Sequence, residues 1–354
     1  MTPPSLAAYG WDDRWSARLD AWRAGPGAEG VRDPRPGRVV RHDGAGLIVA
    51  TGEGPPVRAM FGPPVSPRPV VGDWVVLDGV PNPVATLPRD ALLRRRVAGG
   101  DGEQPLVANV DVVLIVCGLD RPVRLGRVQR TMTLANDAGA ESLVVLTKAD
   151  LVDAEVEAEA RATVTEADPS LAVVTLSARS GWGVDELLAH VGHRTVALIG
   201  ESGAGKSTLV NALVAEHVAP EGEVRDGDRK GRHTTTSREL FLLDTGGILV
   251  DTPGIREVGV FAEAEAVAET FPDVDELVAG CRFADCGHDT EPGCAVTAAL
   301  AGGTLDPDRL ARWQALQEEV AAAELRNDPT PRGRYLRSQV RSGRGTGRQG
   351  RPGR

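Results

Sequence analysis

The segment Gly200-Glu201-Ser202-Gly203-Ala204-Gly205-Lys206-Ser207-Thr208 constrains the fold more than any other stretch of this chain. A glycine, four residues and then Gly-Lys-Ser is the spacing of a phosphate-binding loop. The apolar run at 195–199 reads as a strand entering the loop, and 209–214 reads as the start of a helix leaving it. That context matters because the loop works by geometry. Glycines let successive backbone N–H groups turn inward around phosphates, and the helix N-terminus adds the positive end of its dipole. Lys206 is placed to reach the β- and γ-phosphates, and the Ser207 hydroxyl to ligate Mg²⁺. A chance glycine turn would explain neither flanking element.

Two further segments narrow the nucleotide. Asp251-Thr252-Pro253-Gly254 closes the apolar run at 247–250. Downstream of a phosphate loop, Asp251 can hold Mg²⁺ through water and the Gly254 N–H can sense the γ-phosphate. Thr147-Lys148-Ala149-Asp150 follows the apolar run at 143–146. A carboxylate there accepts two hydrogen bonds from guanine, at N1–H and the exocyclic amine, which adenine does not offer. A different base would leave Asp150 unpaired, which is how a hydrogen-bonding site rejects an analogue. The Lys148 stem can cover the base face. Ser177-Ala178, after the run at 171–176, can supply a backbone contact to the base.

These pieces stand in an unusual order. In GTPases generally, the base-reading segment comes after the phosphate loop; here it precedes it. No second Lys-x-Asp occurs after Gly254. The strand and helix units needed to complete the domain lie upstream: strands at 110–116, 143–146 and 171–176, and helices at 124–138, 153–167 and 184–191. The simplest reading is a circularly permuted α/β P-loop GTPase domain with a doubly wound parallel sheet. The second switch element, after Asp251, then runs directly into the C-terminal third of the chain.

The first switch falls in the polar stretch ending Gly231-Arg232-His233-Thr234-Thr235-Thr236. One threonine is expected on Mg²⁺ and the γ-phosphate. Thr235 is favoured, though sequence does not separate it from its neighbours. Ile255 stands where many GTPases carry a water-orienting glutamine. His233 is the nearest substitute with a titratable ring, and the alternative is that it positions the loop.

Cys281, Cys286, His288 and Cys294 fall within fourteen residues. Three thiolates and an imidazole suit tetrahedral Zn²⁺, and four protein ligands leave no open position, so the expected zinc is structural, one per chain. The chain has four cysteines and begins with nothing resembling a signal peptide, so disulfides are not expected. Cys117, the fourth, ends an apolar strand and reads as core.

Net charge is -10, yet 331–354 holds eight arginines and no acidic residue. Such a segment cannot bury a core, reads as a disordered tail, and pairs with phosphates. No apolar run is long enough to span a membrane, and the expected localisation is cytoplasmic. Short apolar stretches at 38–41, 46–50, 57–61, 73–77 and 82–87 suit a small barrel of the oligonucleotide-binding (OB) type, an SH3-like barrel, or a lid on the GTPase. Trp11, Trp15 and Trp22 are spaced to share one face of a helix over 6–24, packing on the protein or on a partner. The expected organisation is an N-terminal helical extension at 1–36, an OB-like β-barrel at 37–98, the permuted GTPase at 105–260, a zinc-binding helical domain at 261–327 and an arginine-rich tail at 328–354.

The Gly231–Thr236 run, the phosphate loop, Asp251-Thr252-Pro253-Gly254-Ile255 and the cluster ending Glu291-Pro292-Gly293-Cys294 together resemble the small ribosomal subunit biogenesis GTPase family, RsgA. The resemblance implies a monomeric GTPase converting GTP to GDP and phosphate. It implies Mg²⁺ with the nucleotide, the small ribosomal subunit and its rRNA as partners, and stimulation by that subunit late in maturation. The competing class is an RNA-binding assembly chaperone that uses GTP only as a switch. Thr147 departs from the asparagine more common at its position. It keeps a hydrogen-bonding oxygen but loses the amide, which predicts weaker affinity with guanine preference intact. The arginine tail is not explained by the resemblance.

Overall fold

The computed structural model describes residues 3–42, 46–60, 65–96, 103–214, 238–251, 264–284, 286–289 and 291–327. The chain gathers into two compact units, one of Met1–Arg94 with Pro105–Val258 and one of Arg95–Gln104 with Gly259–Arg354.

In the first unit, β1 (Arg35–His42), β2 (Gly46–Ala50), β3 (Val57–Met60), β4 (Trp74–Leu77) and β5 (Pro83–Thr86) pair antiparallel in the order β5-β4-β1-β2-β3. All four residues of β4 are buried, so it lies at the centre of this β region rather than on a wet face. Helix α1 (Asp13–Arg23) starts where the Asp12 carboxylate accepts from the N–H groups of Arg14 and Trp15, at 2.9 and 3.2 Å. That cap separates the tryptophans. Trp11 precedes the helix and meets Trp74 edge-on at 4.8 Å, while Trp15 approaches the same ring at 5.8 Å. The face expected from spacing is therefore only partly helical, and it packs on the protein. Strands β6 (Leu92–Arg96) and β7 (Glu103–Ala108), whose residues 95–96 and 103–104 are counted with the second unit, form a separate pair that the hydrophobic pattern did not mark.

The rest of the unit is built on β8 (Val112–Gly118), β9 (Glu141–Thr147), β10 (Ala172–Thr175), β11 (Thr195–Gly200), β12 (Glu239–Leu242) and β13 (Ile248–Asp251). Their order is β10-β9-β8-β11-β13-β12. The first five are parallel; β12, unmarked in the sequence, pairs antiparallel with β13 and makes the sheet mixed. Alternate residues feed two cores. Val113, Ile115, Val144 and Leu146 face one side with Val128 and Met132 of α2 (Leu125–Ala138) and Val164 of α3 (Ala154–Ala167). Val112, Leu114, Leu143 and Val145 face the other with Leu187 of α4 (Val184–Val191) and Leu209 of α5 (Lys206–Val214). Helices on both faces explain why these strands read as unbroken apolar runs.

The permutation is visible in the strand order. Strand β11, which delivers the phosphate loop, comes after β8, β9 and β10 in the chain yet lies centrally, between β8 and β13. The antiparallel β region joins this sheet through β1 and β12, where Arg41 opposes Glu239 and the side chains meet at 3.3 Å. Beside that junction, the buried Arg38 donates to the carbonyls of Tyr9, Gly72 (3.3 Å) and Asn109 (3.4 Å) and to Thr195 Oγ1 (3.1 Å). Burial lowers its pKa to about 10, so it stays charged at neutral pH.

The second unit contains α6 (Ala264–Thr270), α7 (Pro272–Ala279), α8 (Ala295–Ala301) and α9 (Pro307–Asn327). Val267, Phe271, Val274, Val296, Leu310, Trp313 and Leu316 form its buried interior. Arg309 grips Asp273 with two hydrogen bonds, at 2.6 and 2.5 Å, and lies 5.0 Å over the Phe271 ring. No helix among the described residues is long and apolar enough to cross a membrane.

Candidate nucleotide site and metal centre

Both segments expected to bind the nucleotide sit at the carboxyl ends of parallel strands, where open α/β sheets place their ligands. The loop from Gly200 to Gly205 joins β11 to α5. Gly203 and Gly205 have φ of +81° and +89°, a left-handed backbone open to glycine. Gly200 is required for a different reason: a Cβ there would collide with the Val116 carbonyl of β8. Ser202, Gly203, Ser207 and Thr208 are exposed, and Ala204 is buried. Lys206 Nζ donates to the carbonyls of Gly200 and Glu201, both at 2.5 Å, so its ammonium lies within the curl of the loop.

The 147–150 segment, expected to read the base, is brought against this loop by β8 and β9. Thr147, at the end of β9, is buried and donates from Oγ1 to the Ala204 carbonyl at 2.6 Å, with the Cys117 carbonyl 3.3 Å away. The hydroxyl of Thr147 thus fastens the two segments together. Lys148 has a left-handed backbone, φ 64°, which turns the chain sharply out of the strand. Ala149 N–H donates to the Leu176 carbonyl at 3.2 Å, tying the segment to the end of β10. Ser177 is buried and its hydroxyl donates to Asp150 Oδ1 at 2.6 Å, orienting the carboxylate. Ala178 comes next in the same loop and is half-buried. Asp251 ends β13. Gly254, His233 and Thr235 lie outside the described residues, as does the arginine tail.

One group of residues carries no motif in the sequence. Asp120 and Arg121, just beyond β8, and Arg127 on α2 run as a row of alternating charge along the site. Lys148 Nζ meets Asp120 at 2.8 Å, Arg121 meets Asp120 at 3.3 Å and Glu201 at 3.5 Å, and Arg127 meets Glu201 at 2.7 Å. Lys148 and then Arg121 hold the Asp120 carboxyl below the usual carboxylate value. The available signal was position alone: an Asp-Arg pair two residues past a parallel strand of a phosphate-loop sheet.

The second unit brings Cys281, Cys286, His288 and Cys294 together, with their ligand atoms all within 4.8 Å of one another. Cys281 Sγ and Cys294 Sγ each lie 3.6 Å from His288 Nδ1 and 3.9 Å from one another. Tetrahedral Zn²⁺ with the usual bond lengths needs edges of about 3.8 Å between sulfurs and about 3.6 Å from sulfur to nitrogen, so the donor set fits such an ion. His288 achieves its place through a left-handed backbone, φ 60°. Cys294 Sγ accepts the Thr297 N–H at 3.4 Å. Burial opposes ionisation of Cys294, but hydrogen bonds from Thr297 and His288 outweigh it and bring the thiol to about 6, favouring the thiolate that binds metal.

A phosphate-loop pattern, a Lys-x-Asp at the neighbouring strand end and a sheet entered midway mark a circularly permuted P-loop GTPase, a hydrolase acting on GTP. The RsgA GTPase family model matches residues 86–261. The small ribosomal subunit biogenesis GTPase RsgA of Streptomyces coelicolor is 42% identical over 96% of this chain and 93% of its own length. Its namesake from Opitutus terrae is 47% identical over 74% of this chain and 75% of its own. The crystal structure of YjeQ from Thermotoga maritima superposes with a TM-score of 0.59 at 27% identity, over 81% of this chain and 99% of that one. YloQ, described as a circularly permuted GTPase, shares the fold with a TM-score of 0.58 at 23% identity, over 83% of this chain and 97% of its own. The chain belongs to the RsgA GTPase family.

Proposed function

We propose that this GTPase acts in the biogenesis of the small ribosomal subunit, binding the subunit with GTP and leaving it after hydrolysis to GDP and phosphate. One observation carries the nucleotide assignment: Thr147 fastens the base-reading segment to Ala204 of the phosphate loop. That contact puts Asp150 and Lys206 at the same end of the sheet despite their permuted order. The assembly role is supported by the names of relatives that match along nearly their whole length.

In this reading the loop from Gly200 to Thr208 cradles the phosphates, Lys206 neutralises the β- and γ-phosphates, and Ser207 and Asp251 hold Mg²⁺. Asp150 reads guanine, held by Ser177, while Lys148 and Ala149 cover and flank the base. Ala178 supplies a backbone contact. Thr235 and Gly254 keep their assignment to the switch segments, and His233 its assignment to the attacking water. Cys281, Cys286, His288 and Cys294 hold one structural zinc. The ion would fix the loop between α7 and α8, with no open position for chemistry. The divisions at 37–98, 105–260 and 261–327 belong to the same proposal. They are supported by the change from antiparallel to mainly parallel strands and then to helices. The protein works as a cytoplasmic monomer.

The test is phosphate release from GTP and from ATP by purified protein, with and without small or large ribosomal subunits, using Lys206→Ala as the control. GTP turnover raised by small subunits alone supports the proposal. GTP turnover indifferent to either subunit removes the assembly role and keeps the GTPase. Nucleotide binding without turnover under any condition favours the switch-only chaperone. Preferential ATP turnover overturns the assignment of Asp150.

A further inference from the structure

We propose that Asp120 is a positioning residue for the guanine nucleotide, acting through Lys148. The inference rests on the guanine-site reading above and extends it to a residue outside the recognised motifs.

Lysine is a poor clamp by itself. Its ammonium sits on a flexible four-carbon stem rich in rotamer entropy. To lie flat along a base, that stem has to be held at both ends. The backbone end is fixed by the left-handed turn at Lys148 and by the burial of Thr147 beside it. The far end is fixed by Asp120, 2.8 Å from Nζ. Between them the stem passes over glycines: a Cβ at Gly118 would lie 3.4 Å from Lys148 Cε, and one at Gly205 would lie 3.9 Å away. The stem therefore runs along the floor formed by the end of β8 and the phosphate loop, and only a quarter of the lysine side chain is exposed.

The acceptor is itself steered. Arg121 approaches Asp120 at 3.3 Å and reaches to Glu201 of the phosphate loop at 3.5 Å, and Arg127 holds Glu201 at 2.7 Å. Isolated exposed ion pairs contribute little to stability. What this row supplies is order: each inner charge has a partner of opposite sign on either side, so the Lys148 head is directed towards Asp120 and away from competing acceptors. A side chain ordered before binding does not lose its freedom on binding, and the gain appears as affinity.

Gly118 offers a second way to disturb the same contact. A Cβ there would come within 2.6 Å of Asp120 Oδ1, close enough to push the carboxylate off Lys148, while its next neighbours, Lys148 Cε and Ala204 Cα, are at ordinary contact distance of 3.4 Å.

The experiment uses full-length protein with a fluorescent GDP probe, GTP turnover and thermal melting without nucleotide. For Asp120→Asn, the expected result is a three- to tenfold rise in the GDP dissociation constant and in KM for GTP. Expected alongside are a kcat at saturating GTP within twofold of wild type and an unchanged melting temperature. Gly118→Ala shifts affinity in the same direction. Lys148→Met with Asp120→Asn binds no more weakly than Lys148→Met alone, because the carboxylate acts only through the lysine. Unchanged GDP affinity in Asp120→Asn overturns the inference, as does a loss that adds fully to that of Lys148→Met or one that accompanies a lowered melting temperature. Wild-type protein that does not bind GDP overturns the guanine-site reading and this inference with it.

Discussion

The Cys/His cluster and the nucleotide site are assembled by opposite means. The cluster takes all its donors from Cys281 to Cys294, one loop and the first residue before α8. The candidate nucleotide site is gathered from the ends of β8, β9, β10, β11 and β13, and one of its fastenings joins Thr147 to Ala204, which are 57 positions apart. A site closed within one loop depends on what binds there. A site spread over strand ends depends on the sheet that holds the strands in register. Perturbing each in turn tests that difference.

Metal removal carries the largest expected effect. Chelation or Cys294→Ser leaves the remaining donors crowded without a cation and opens the loop between α7 and α8. The cost to the helical unit is expected on the order of 5 kcal/mol, below the roughly 10–16 kcal/mol of peptides that fold only on zinc, because Phe271, Val274 and Leu310 still pack. Helical signal and melting with and without chelator measure it, and GDP affinity of the nucleotide site changes by less than twofold. Equal loss of both properties would break the contrast between the two sites.

Next comes Asp150→Asn. It removes the acceptor for guanine N1–H and offers a donor instead, so GTP affinity falls about a hundredfold while xanthosine triphosphate gains. Competition binding with the two nucleotides reads this directly. Since Ser177 donates to Asp150 at 2.6 Å, Ser177→Ala lowers affinity in the same direction by a smaller factor.

Thr147→Val keeps the shape and deletes the donor to Ala204. We expect a loss of about 1 kcal/mol in stability and a few-fold weaker GDP binding, by melting and titration. If stability alone changes, the hydroxyl braces the sheet and not the site. The smallest effect is in pH. Lys148 lowers the Asp120 pKa, so the pair is intact above the ordinary carboxylate value and is lost only as pH falls through the lowered one. Asp120 therefore contributes no slope to GDP affinity between about pH 8 and pH 5. An affinity falling across that window on the wild type but not on Asp120→Asn would contradict this.

The sequence by itself determined the motifs whose chemistry is carried by consecutive residues. Gly200 to Thr208 is legible because the phosphate-loop pattern is carried by consecutive residues. Cys281 to Cys294 is legible because the donors need only one loop to meet. The apolar runs of β8, β9, β10, β11 and β13 declared themselves because strands covered on both faces have no polar residues to interrupt them. The permutation was legible from motif order alone. Only the tertiary structure decided what depends on separate strand ends arriving side by side. Thr147 looked like a weakened asparagine until β8 and β11 brought Ala204 to its hydroxyl. Asp120, Arg121 and Arg127 looked like ordinary surface charge until the sheet set them beside Lys148 and Glu201. Strand β12 is short and half-exposed, and its place is fixed by pairing with β13 on one side and with Arg41 of β1 on the other. Local geometry is written in neighbouring residues, whereas a contact across 57 positions exists only once the register of the intervening strands is set.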